Sequence, residues 1–475
     1  MKQHFKPAVT ACVAAVTLAA CSMAPQYRQP QVTTGDFPAV QNAHSVGRVA
    51  AQDLGWRDYF ADARLKHFIE LALTNNRDLR VAALNVDAVR AQYAIQRADR
   101  LPSVAASGGA NKARIAQDLS ALGQSYITES YNVGMGVAAF ELDLFGRVKS
   151  LSNAALNNYF AQQHTRDATQ ISLIATVAKA YFGERSAQER MDLAEQTLKS
   201  REESKKLTDL KFKAGVISAV DVRVAETQIE AARADYAAAE QARNQARTAL
   251  ALLIGQPIPE DLPATLPLDQ QFVDVELPAG LPSEVLLRRP DVQAGEFALK
   301  AANANIGAAR AAFFPRITLT GSVGSGSTEL GNLFMGINRT WSFAPQISLP
   351  IFTWGANKAN LDLSHVRKNI AVAQYEKAVQ SAFKDVADAL GARDTLQRQY
   401  DAQQRSAKAT AERYRLVDMR FKHGIASSLE RLDAERDHYG ARQALLATRL
   451  TVLENRADLY KVLGGGLKAE TAVGE

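Results

Sequence analysis

A cysteine near the N-terminus and a pair of carboxylates near the C-terminus are the side chains whose type and spacing point to chemistry. Cys21 ends the stretch Leu18-Ala19-Ala20-Cys21. Small residues placed directly before a cysteine at the end of a secretory signal make a lipobox, in which the thiol is acylated and the cysteine becomes the new N-terminus. Glu430 and Asp433 stand three residues apart and share one face if the segment is helical. Such a pair concentrates negative charge and attracts cations, the alternative being a solvated helix face. No catalytic constellation accompanies them. G-x-S-x-G, H-E-x-x-H and the phosphate-binding glycine loop are all absent, and the seven histidines never fall at ligand spacing. Cys12 leaves with the signal, so one cysteine remains, which excludes an intramolecular disulfide and a cysteine metal cluster. The expectation is a protein that is not an enzyme, with no catalytic residues, metal or cofactor.

The signal occupies residues 1–20, with Lys2 and Lys6 ahead of an apolar run from Ala8 to Ala20. Ser22 rather than Asp follows the cysteine, which favours the outer membrane. Net charge falls from +6 to +4 once Lys2 and Lys6 are removed. The remaining Lys and Arg are interleaved with Asp and Glu, the pattern of solvated helix faces and not of a nucleic-acid footprint. No later stretch reaches the roughly 18 consecutive apolar residues of a membrane helix. If the chain crosses a membrane it does so as a β-barrel.

The elements that would position these groups are written twice. FKAGVISAVDVRVAE from Phe212 and FKHGIASSLERLDAE from Phe421 share six of fifteen residues at an offset of 209, which also relates Gly146 to Gly355 and Gly255 to Gly464. Upstream the offset is 213, relating Asp78 to Asp291, Arg97 to Arg310 and Pro102 to Pro315. A duplicated unit of about 200 residues is too long for a solenoid repeat. Residues 150–213 and 356–422 are rich in helix formers and free of Pro, predicting two helices roughly 95–100 Å long. Shorter partners cover 217–253 and 426–463, and leading helices 76–101 and 290–314 stack on them to make up the length. Seven prolines between Pro257 and Pro290 forbid one helix across the connection.

Period-two alternation marks the strands. Tyr131, Val133, Met135, Val137 and Ala139 fall on one face of the run Tyr131–Leu144, residues 316–327 alternate likewise, another strand follows from Trp341, and a weaker one covers 103–112. Tyr126, Phe140, Phe145, Trp341, Phe352 and Trp354 flank them, as aromatics flank membrane strands. Four strands cannot close a barrel alone, whereas three copies supply twelve. The domain plan is therefore signal 1–20 and lipidated segment 21–75, then two repeats and a tail, 467–475. The first repeat, 76–287, holds strands at about 103–144, hairpin 150–253 and a Pro-rich segment 255–287. The second, 288–466, holds strands at about 316–352 and hairpin 356–463.

In FELDLFGR (Phe140–Arg147), ANIGAARAAFFP (Ala304–Pro315), LPIFTWG (Leu349–Gly355) and VLGGG (Val462–Gly466), the chain resembles the TolC-like outer-membrane factors of tripartite efflux pumps, in their lipoprotein subgroup. The resemblance spans residues 21–470. It implies a mainly helical, internally duplicated chain that trimerises into a twelve-stranded membrane barrel continued by an α-helical periplasmic tunnel. It implies a passive duct for drugs, detergents and other amphipathic compounds, partnered by a periplasmic adaptor and an inner-membrane RND transporter. Residues at positions matching Glu430 and Asp433 narrow the periplasmic entrance in that family, with Asp418, Arg420 and Arg431 as candidates for the salt bridges that hold it closed. Gly215 and Gly424 would form the far turns, and Val216 and Ile425 beside them would receive the adaptor or simply staple the turns. Val224 is the repeat partner of Asp433. A type I secretion duct of the same fold and a lipid-anchored coiled-coil tether are the competing readings.

Overall fold

The structure is a computed structural model and describes residues 22–32, 52–121, 123–273 and 284–471; the signal and Cys21 lie outside the described residues. The helices are α1 (Ala63–Asn75), α2 (Arg77–Ala98), α3 (Arg147–Lys213), α4 (Ala219–Ile254), α5 (Pro290–Ala311), α6 (Ala356–Lys422) and α7 (Ser428–Val462). The strands are β1 (Val104–Ile115), β2 (Tyr126–Leu142), β3 (Arg316–Ser327) and β4 (Arg339–Ser348). Short helical turns at Trp56–Tyr59 and Glu284–Leu287 complete the main elements. The chain is mainly helical with one small antiparallel sheet. None of the described helices is long and apolar enough to cross a membrane.

The repeat is visible in the helix lengths. α3 and α6 each run 67 residues, about 100 Å. Each contains a single glycine and no proline, so nothing interrupts the hydrogen-bond ladder. Left-handed glycines stand at matching places in the two copies: Gly146 and Gly355 before the long helices, Gly215 and Gly424 after them.

Among the described residues, one compact unit comprises 22–31, 85–163 and 294–376 and holds the sheet, ordered β1-β2-β3-β4 with antiparallel neighbours throughout. Paired residues share a face. Ala106↔Met135↔Val323↔Trp341 and Val104↔Val137↔Gly321↔Phe343 therefore run across one face, joined by Ile317↔Ile347. The opposite face carries Asn111↔Ser130, Ser322↔Ser342 and Thr318↔Gln346. These rows give one apolar and one polar face, the alternation of a membrane barrel wall, and the apolar face turns charged only at its far end, at Lys112↔Glu129 and Ser325↔Arg339. Trp341, Phe343, Ile347 and Met135 are exposed in the single chain. β1 and β4 each have one unpaired edge.

Two details of the strands differ from the sequence reading. β2 starts at Tyr126, five residues early, because Tyr126–Ser130 pair with Asn111–Ile115. Ala139 also leaves the apolar row. A bulge lies between Val137 and Phe140, with Ala139 at φ +50°. One extra residue reverses the phase of a strand, so Phe140 and Leu142 continue the face of Val133, Met135 and Val137. The switch of apolar residues from odd to even positions was the signal for it.

In the same unit, residues 23–27 lie along α5. The Pro25 carbonyl accepts from Asn303 Nδ2 (2.8 Å), the Met23 carbonyl accepts from Arg310 (3.3 Å), and Tyr27 donates to Glu296 (3.2 Å).

The second unit comprises, among the described residues, 32, 52–84, 164–273, 284–293 and 377–471. Its centre is aromatic: Tyr59 stacks on Tyr460 at 4.2 Å between ring centroids, and Phe60, Phe182 and Phe272 pack around them. Asp62, fully buried, caps α1 and accepts from Tyr181, Gln271, Thr265 and the Leu266 and Arg64 amides. Burial opposes its ionisation, but these donors outweigh that and hold its pKa below the ordinary carboxylate value.

Candidate functional site

The two hairpin ends, α3–α4 and α6–α7, both belong to the second unit and are built alike. At the first, Gly215 sits at φ +71° and the Val216 amide donates to the Lys211 carbonyl (2.9 Å). At the second, Gly424 sits at φ +73° and the Ile425 amide donates to the Arg420 carbonyl (2.9 Å). A residue without Cβ takes this left-handed geometry without strain and closes the long helix. Ser218 and Ser427 then cap α4 and α7, accepting from the amides of Asp221 and Glu430. Val216 and Ile425 are 71% and 69% exposed, and Val220 and Leu429, four residues on, are 70% and 69% exposed. Two matched apolar stripes thus face outward at the tips.

The copies diverge in what the third residue of the second helix does. Asp221 folds back onto Ser218 and completes a capping box. Glu430 instead reaches Arg420 Nη1 (3.0 Å). Asp433 takes a separate partner, Arg436 (3.2 Å), so the two carboxylates are not joined by a shared cation. Asp418 accepts from Arg431 Nε (2.8 Å) and pairs with Lys422 (2.8 Å). Burial pushes the Asp418 carboxyl up, but the Lys422 and Arg431 charges prevail and hold it below the ordinary value.

Arg431 ties the two hairpins together. Its Nη1 donates to Ser204 Oγ of α3 (2.7 Å), and its guanidinium lies 5.2 Å from the centroid of Phe421. The same ring receives Lys211 of α3 at 4.6 Å. Next along α7, Glu435 pairs with Arg201 of α3 at 3.4 Å, with both side chains nearly buried. A cavity of about 90 Å³ is lined by Arg201, Ser204, Val224, Phe421, Arg431 and Glu435. Ser204, Arg201, Glu435 and Phe421 were not singled out from sequence. Glu435 and Phe421 are identical letters of the repeated stretch, and Ser-x-x-Asp/Glu in both copies is a legible capping signature. The arrangement offers no nucleophile beside a base. What it offers is a set of ion pairs that brace the α6–α7 tip from within, and two contacts, Glu435–Arg201 and Arg431–Ser204, that must break if α6–α7 swings away from α3.

A sheet with apolar rows on one face and both edges unpaired, in a chain with two hairpins that each open on a 67-residue helix, is the pattern of an outer-membrane channel with a helical tunnel. The sequence profile described as "Outer membrane efflux protein" matches residues 68–256 and 281–465, and the chain belongs to that family. Over 470 residues it is 47% identical to the probable efflux pump outer membrane protein TtgC of Pseudomonas putida, covering 98% of this chain and 97% of TtgC. It is 43% identical to outer membrane protein OprJ of Pseudomonas aeruginosa, covering 97% and 96% of the two chains. The open-state crystal structure of the MtrE outer membrane channel of Neisseria gonorrhoeae superposes with a TM-score of 0.87 at 54% identity, covering 95% of this chain and all of that one. The protein is an outer-membrane efflux channel.

Proposed function

We propose that three copies of this chain form the exit duct of a tripartite RND-type pump, exporting drugs, solvents, detergents and other amphipathic compounds. The carrying observation is the sheet: four strands with an apolar face and two unpaired edges, which hydrocarbon does not tolerate. Three copies would supply twelve strands. The inner-membrane transporter would provide the energy and this chain only the path, without catalysis, metal or cofactor.

In this reading Gly215 and Gly424 form the turns that a periplasmic adaptor engages, with Val216 and Ile425 as its apolar footholds. Glu430 and Asp433 would line the periplasmic entrance, and Asp418–Arg431 with Arg420–Glu430 would latch it. The plan of signal 1–20, lipidated segment 21–75, repeats 76–287 and 288–466 and tail 467–475 is part of the proposal. Acylation of Cys21 would add a tether to the periplasmic face of the outer membrane. The bonds that hold Met23 and Pro25 to α5 support a fixed position for that tether. A deletion strain should become susceptible to a panel of amphipathic drugs and solvents and recover on complementation with this gene. Unchanged susceptibility, with export of a protein substrate lost instead, would replace drug efflux by protein secretion.

A further inference from the structure

The internal repeat allows an interface absent from the single chain to be read from one that is present. Within the second unit α3 packs against α7 through Lys179–Asp458 (3.0 Å), Glu189–Arg449, Arg201–Glu435 and Arg431–Ser204. α3 and α6 are the same element in the two copies, as are α4 and α7, at a constant offset of 209. Applying that offset to the α3–α7 junction gives a junction between α6 and α4. In a ring of alternating hairpins that second junction joins one copy to the next.

The position of Glu189 becomes Arg398, and that of Arg449 becomes Glu240. Both signs are reversed, and complementarity is kept. Reversing one side alone would have set two like charges face to face. Glu240 and Arg398 are both exposed, and neither makes an ion pair among the described residues; Arg398 donates only to the Asp394 carbonyl of its own helix (3.4 Å). The other two ion pairs map to Asp388 with Ala249 and Thr410 with Glu226, which are not ion pairs. The charge match is therefore confined to one level of the hairpins.

We infer that Arg398 of one copy pairs with Glu240 of the next, and that the sign reversal relative to Glu189–Arg449 enforces the alternating order of the hairpins. Two first hairpins brought together would oppose Glu189 and Glu240, and two second hairpins would oppose Arg398 and Arg449. Both wrong junctions repel, and both right ones attract. Complementary charges chiefly set register and partner choice, and the clash against the wrong neighbour contributes as much to that choice as the attraction.

The inference rests on the oligomeric reading above, and the test separates the two. Full-length protein is extracted in mild detergent and heated, following the oligomer on gels. Arg398→Glu and Glu240→Arg should each lower the dissociation temperature by several degrees, and the double exchange should restore it. Glu240→Cys with Arg398→Cys in one chain should yield disulfide-linked oligomers on oxidation, and either cysteine alone should not. Lysine-reactive cross-linking reports the trimer independently. A trimer by that assay, with unaltered melting of both single variants and no disulfide, overturns this junction and leaves the trimer standing. Absence of any oligomer overturns both.

Discussion

Individual side chains in this protein matter according to how much water they have lost. Asp418 and Arg431 are 19% and 12% exposed, whereas Asp433 and Arg436 are 42% and 73% exposed. Exposed pairs contribute about 0–1 kcal/mol, and breaking a buried one costs several. Asp418→Ala, which strands Arg431, is therefore expected to loosen the second tip by about 1–3 kcal/mol. In planar bilayers it should raise conductance and, in cells, admit large antibiotics such as vancomycin. With Asp433 at the proposed entrance, Asp433→Ala should mainly reduce cation selectivity, by removing one carboxylate per copy. Val224→Ala, its repeat counterpart, should do much less; equal effects on selectivity would remove the special role of the second hairpin. The pH dependence has a definite sign. Because the folded pKa of Asp418 is depressed, its stabilisation is fully present above the unfolded value and is lost as pH falls through the lower folded one. The latch should hold through neutral and mildly acidic pH and release only in strong acid, which conductance against pH would show. Asp62 is buried outright, so Asp62→Ala leaves several inward-facing donors unpaired and should cost about 2–4 kcal/mol, measured by thermal unfolding.

At the level of elements, the duplication explains both the likeness and the difference of the hairpins. Turn and cap coincide because Gly215/Gly424 and Ser218/Ser427 recur in each copy, and the exposed apolar pair because Val216/Ile425 and Val220/Leu429 are conservative exchanges. The sheet has its own demand. Gly134 and Gly324 face each other across β2 and β3, and a Cβ on Gly134 would lie 2.9 Å from the Val323 carbonyl oxygen. A Cβ on Gly324 would meet the Val133 carbonyl closer still. Glycine here permits close backbone approach on the polar face. Gly324→Ala should force the strands apart and reduce the yield of detergent-resistant oligomer, with helix content by circular dichroism unchanged. Full oligomer yield would mean that the sheet flexes enough to absorb the methyl group.

For the whole molecule, the open question for the chain is closure. The exposed row Trp341, Phe343 and Ile347 on β4 suits hydrocarbon, and the unpaired edges of β1 and β4 suit one another across copies. Cross-linking in mild detergent should give a trimer; a stable monomer or dimer would rule out a shared barrel. Cys21→Ser should abolish lipid labelling while leaving the barrel able to assemble, since strands already hold it in the membrane. Mass spectrometry of the wild type that finds Cys21 unmodified would defeat the lipid anchor.

The sequence alone was enough for the helices and the duplication: the helices are written in Pro-free runs of helix formers ended by glycine, which a short window contains, and the duplication in one stretch that recurs 209 residues on. The strands were legible by their period of two. What tertiary structure decided was phase and partnership. Ala139 reads as one more outward residue until the bulge beside it turns Phe140 and Leu142 to the apolar face. Glu430 and Asp433 read as one charged pair until each is seen with its own arginine, and Arg431 reads as a neighbour of Asp418 until Ser204, 227 residues away, completes its hydrogen bonds. Propensity and period depend on residues a few positions apart, so the chain states them locally. Ion-pair choice and strand phase depend on groups that only folding brings within reach.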